Sequence, residues 1–113
     1  MCDTNSAISI MQEAYCSCNS LLGGKLHNGY LYGSYARGDY DSDSDVDILF
    51  TADMTGEELA EYHRQISRIA SRMSLQHDIT VSLTVDPVEQ FERYRSILPY
   101  YQNVLREGVQ YAG

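Results

Sequence analysis

GSYARGDYDSDSDVDILF, running from Gly33 to Phe50, is the segment from which the rest of the chain can be read. Its last residues, Val46 to Phe50, form an apolar run of strand length. Asp45 and Asp47 stand two apart at the start of that run. Period two puts both carboxylates on one face of the strand. Two acids so placed repel, and each raises the other's pKa. A divalent cation between them and a triphosphate removes the conflict. Magnesium suits such a place, since it takes one or two carboxylates, several waters and phosphate oxygens.

The other end of the segment fits an anion. Gly33 and Ser34 follow a short strand, Tyr30 to Tyr32, and glycine lets the backbone approach a phosphate closely. The Ser34 hydroxyl and nearby amides can hold phosphate oxygens. Arg37 is placed to pair with a triphosphate tail or to neutralise the acidic loop around it. Asp39, Asp41 and Asp43 read as a solvated loop. A calcium loop of the EF-hand kind needs Gly at its sixth position and Glu at its twelfth. Registers starting at Asp39, Asp41 or Asp43 all fail that pattern.

Around this segment the chain alternates helices and strands. A helix is expected from about Ser6 to Leu22, capped among Thr4 to Ser6 and stopped by Gly23 and Gly24. Thr55 and Glu58 form a capping box that opens a helix continuing to Met73. Asp78 to Val85 alternates without fault, with Ile79, Val81, Leu83 and Val85 on one face and Asp78, Thr80, Ser82 and Thr84 on the other. A helical stretch then follows Pro87 to about Tyr94, and a final helix runs from about Pro99 to Glu107, ended by Gly108. The expectation is an α+β fold, a small mixed β-sheet with helices packed on one face and the polar side left open. Asp78 opens the alternating strand on that polar side. It is the acid expected to complete a two-metal site and to assist deprotonation of an acceptor hydroxyl. Asp86 is the fallback, placed after the strand.

The composition limits the alternatives. The length, 113 residues, predicts one domain over 1–113. The net charge of -8 argues against a general nucleic-acid or anionic-membrane surface. Five of the sixteen acids fall between Asp39 and Asp47, so the charge marks a site as much as a surface. Cys2, Cys16 and Cys18 have no zinc spacing and read as buried or half-buried thiols in a reducing cytoplasm. No signal peptide or membrane-length apolar run is visible. His27, His63 and His77 are not at metal spacing. Tyr100 and Tyr101 read as core, with partner contacts as the alternative.

Gly33-Ser34, ten residues, then Asp45-Val46-Asp47 resembles the nucleotidyltransferase signature of the DNA polymerase beta superfamily. Ala36 before the arginine and Ser44 before the first aspartate extend the match. The length resembles minimal nucleotidyltransferases, which consist of the catalytic core alone. The resemblance implies two Mg2+ ions held by Asp45, Asp47 and Asp78, and a nucleotide held by Gly33, Ser34, Arg37 and Ser44. It also implies transfer of AMP from ATP to a tyrosine of a HEPN-domain toxin, with this chain as antitoxin. Larger relatives carry a helical domain that supplies the acceptor pocket; a bare core must take that pocket from another chain. Two rival readings stay open: a non-catalytic antitoxin that inhibits by binding, and an enzyme acting on a small molecule such as an aminoglycoside.

Overall fold

The computed structural model describes residues 3–111, so Cys2 lies outside the described residues. Its first helix, α1 (Thr4–Leu21), is capped one residue earlier than the sequence suggested, where the Asp3 side chain accepts from the Ser6 N–H at 2.8 Å. Such a cap satisfies one of the orphan N–H groups of the first turn. The stripe Ala7, Ile10, Met11, Ala14, Tyr15 and Cys18 is buried. Burial pushes the Cys18 thiol up to about 12, whereas Cys16 is exposed.

Four strands form one mixed sheet in the order β3-β2-β1-β4. β1 (Leu26–Tyr32) runs antiparallel to β2 (Val46–Ala52), and β2 runs parallel to β3 (Val81–Pro87). β4 (Val109–Tyr111) pairs antiparallel with β1. This fourth strand was not anticipated, because three residues are too few to show a period. Between β1 and β2 lies the single-turn helix α2 (Ser34–Arg37).

The parallel β2–β3 pair requires a long crossover. Two helices supply it, α3 (Gly56–Ala60) and α4 (His63–His77). The capping box is present, with Thr55 Oγ1 accepting from the Glu58 N–H at 3.1 Å and Glu58 Oε1 accepting from the Thr55 N–H at 3.0 Å. The helix expected to run unbroken to Met73 is interrupted by a turn at Glu61 and Tyr62.

α1, α3 and α4 cover one face of the sheet. Their apolar residues meet Leu31, Val46, Ile48, Phe50 and Val81 in the main core. The opposite face, expected to stand open, is partly covered. α5 (Val88–Tyr94) and α6 (Pro99–Glu107) place Phe91, Tyr101 and Val104 against Tyr30 and Leu49 in a second, smaller core. The Phe91 ring stacks on Tyr30 at 5.4 Å and meets Tyr101 edge-on at 4.9 Å. The run Ile48-Leu49-Phe50 carries the reason: a strand apolar at successive positions is buried on both sides. No helix among the described residues is long and apolar enough to cross a membrane.

Candidate active site

The site is built where β1 ends and β2 begins. Gly33 sits between β1 and α2 with φ 78° and ψ -157°, a region that is almost confined to glycine. A Cβ on Gly33 would collide with the carboxylate oxygen Oδ2 of Asp47. The glycine of the turn and the second aspartate of the motif therefore touch, although they are far apart in the sequence. Position 33 has to lack a side chain both for its backbone angle and for its neighbour.

Asp47 is the second residue of β2 and is half-buried, while Asp45 is exposed just ahead of the strand. The Val46 N–H donates to the Thr80 carbonyl at 2.9 Å, which fixes the entry into the sheet. Burial holds the Asp47 carboxyl above its ordinary value. The negative charge of Asp45 pushes the same way, and Arg37 partly offsets both. Asp47 thus senses the charge of Asp45, and a cation between the two would relieve its penalty.

Asp47 has defined neighbours on either side. Tyr32 of β1 and Ser82 of β3 stand level with it. The Tyr32 hydroxyl bonds the Tyr100 hydroxyl of α6 at 2.8 Å. Burial, first of all, raises both phenols, and the charges of Asp47 and Asp86 add to this. This pair of phenols beside Asp47 escaped the sequence reading. Tyr32 could have been found from its position one residue before the Gly-Ser turn; Tyr100, brought in from α6, could not.

Asp78 is not where the alternation put it. The helix α4 runs on to His77, and Asp78 caps it in the left-handed region with φ 52°. β3 begins only at Val81. Asp78 shares an open cavity of about 690 Å3 with Ser6, Ile10, Asp45 and His77, formed where α1 begins and α4 ends. It is not on the strand face that carries Asp47. Its polar spacing matched the strand, but a helix C-cap that accepts a positive φ claimed the residue first. Asp86, the fallback, lies within β3 rather than after it, level with Thr51. The Tyr101 hydroxyl donates to Asp86 Oδ2 at 2.7 Å and accepts from Gln90 Nε2 at 2.7 Å.

Arg37 pairs with Asp39 and Glu107, each at 3.1 Å, so its loop-neutralising role is visible directly. Ser44 braces the acidic loop: its hydroxyl oxygen accepts from the Asp41 N–H at 3.0 Å. Ser34 opens α2 beside Gly33.

The chain thus combines a small mixed sheet with a glycine turn seated on the second acid of an Asp-x-Asp strand. The chain belongs to the nucleotidyltransferase domain family, whose model matches residues 24–109. It is 41% identical over 75 residues to a Methanocaldococcus jannaschii protein provisionally named protein adenylyltransferase MJ0141, covering 66% of this chain and 74% of that one. A second protein of that organism, provisionally named protein adenylyltransferase MJ0604, is 29% identical over 85 residues, covering 75% and 77%. Among solved structures, a toxin-antitoxin complex with AMP-PNP matches with a TM-score of 0.58 at 24% identity, covering 99% of this chain and 75% of that one. The toxin-antitoxin MntA-HpeT, in a mutant form, matches with a TM-score of 0.57 at 22% identity, with the same coverage. These structural likenesses concern the fold.

Proposed function

We propose that this chain transfers AMP from ATP to a hydroxyl group of a partner protein, and that it acts in this way as an antitoxin. The contact between Gly33 and Asp47 supports the reading most, because it joins the two halves of the motif in one site. The names of the relatives and the toxin-antitoxin neighbours point the same way. A tyrosine of a HEPN-domain toxin is the acceptor we favour.

Asp45 and Asp47 would hold a magnesium ion, which fits a donor set of two adjacent carboxylates open to water and phosphate. When bound, the ion neutralises the triphosphate and polarises the phosphorus under attack. The chain's own part is positioning. Gly33 lets the Asp47 carboxylate lie against the turn, and Ser34 offers a hydroxyl at the same turn. Arg37 would exchange its exposed partner Asp39 for the triphosphate tail. The acceptor oxygen bonds to the α-phosphorus as the bond to the bridging oxygen of pyrophosphate breaks. Pyrophosphate leaves, and the hydroxyl proton passes to solvent at the exposed Asp45 side.

Incubation with α-labelled ATP, magnesium and the protein encoded by the neighbouring gene tests this. Label should pass to the partner, and Asp47→Asn should reduce the transfer by at least a hundredfold, in the range found for removing one element of transition-state stabilisation. A wild-type protein that labels nothing, or an Asp47→Asn variant as active as wild type, would contradict the proposal.

A further inference from the structure

We infer that the carboxylate face of this chain holds one divalent cation rather than two, because Ser82 occupies the place a third carboxylate would need. The inference rests on the reading of Asp45 and Asp47 as the cation-holding pair.

Two cations of a two-metal site lie about 4 Å apart and share ligands. A third acid must therefore reach the same space as Asp47. The residues level with Asp47 on its own face are Tyr32 on one side and Ser82 on the other. Farther along β3 the same face carries Thr84 and then Asp86. Asp86 stands level with Thr51, four residues from the Asp47 level, or about 13 Å at strand rise. Its carboxylate is also engaged by the Tyr101 hydroxyl. Asp78 caps α4 three residues before β3 begins, in the cavity beside Asp45 rather than on the strand face that carries Asp47, and Asp39 and Glu107 are both paired to Arg37. Among the described residues no group of three His, Cys, Asp or Glu side chains is arranged to hold a metal ion.

Ser82 itself is exposed and lies on the edge strand. Neighbouring strands are about 4.8 Å apart, and magnesium–oxygen bonds are about 2.1 Å long. An aspartate at position 82 could therefore share a cation with Asp47. Serine brings neither the charge nor the reach. The chain thus supplies carboxylates for the cation that travels with the triphosphate, and none for a second one that would activate the acceptor hydroxyl.

Manganese retained per retained AMP-PNP, measured on the full chain after rapid gel filtration, tests the count. Wild type and Ser82→Asn should each keep one manganese per nucleotide. Ser82→Asp should keep two, and its manganese resonance spectrum should show a coupled pair. Two ions per nucleotide in wild type would overturn the inference and leave the function reading standing. A folded Ser82→Asp that stays at one would also overturn it. Nucleotide retained by wild type with no manganese would instead remove the reading of Asp45 and Asp47. Should Ser82→Asp not fold, the wild-type ratio decides the matter alone.

Discussion

Replacing Gly33 by alanine separates two constraints that the site imposes on one residue. With φ 78° and ψ -157°, an L-residue there costs on the order of 1–3 kcal/mol in backbone strain alone. The new methyl also meets the Asp47 carboxylate. At roughly 4 °C of melting temperature per kcal/mol for a domain of this size, strain alone should lower the midpoint by roughly 4–12 °C. The collision adds to that, and it can be isolated. In an Asp47→Ala background the obstructing carboxylate is gone, so Gly33→Ala should cost less there, by about 0.5–3 kcal/mol of coupling. Urea unfolding of the four proteins of this cycle gives the coupling directly. Zero coupling would mean that the glycine and the aspartate do not touch. An unchanged melting temperature for Gly33→Ala in the wild-type background would mean that the turn does not hold the angle described.

Asp47→Asn tests the electrostatics of the site. The folded-state pKa of Asp47 lies above 3.8, so the folded protein favours the protonated form, and wild type loses stability as the pH rises through that pKa. The asparagine variant should therefore be the more stable at pH 7, with the advantage gone below about pH 3; urea midpoints across that range check it, and a variant less stable at pH 7 would refute it. Phe91→Ala should cost about 3–5 kcal/mol, because Phe91 is 1% exposed between Tyr30 and Tyr101. A loss below about 1 kcal/mol would mean that α5 and α6 only drape the sheet.

The elements with a strong local signal were legible in the sequence. The capping box at Thr55, the proline ahead of α5 and the one that opens α6, and the apolar strand after Asp45 all act within a few residues. The Gly-Ser and Asp-x-Asp segment was legible for the same reason, and the family match covers it. What escaped notice depended on distant partners. The second core needs Phe91 and Tyr101 to arrive on Tyr30 and Leu49. Tyr32 meets Tyr100 across 68 residues of sequence. Asp78 was misplaced because period-two alternation continues back through residues that a helix end had already taken.

β2 lies inside the sheet, with a strand paired on each side of it, while the acidic loop ahead of it is exposed. Asp45 and Asp47 thus straddle a boundary in stiffness. Backbone amides on the strand side should exchange with solvent only when the whole molecule opens, and those on the loop side through small local openings. One member of the pair is consequently a fixed reference. The other can turn to follow whatever is bound without disturbing the sheet.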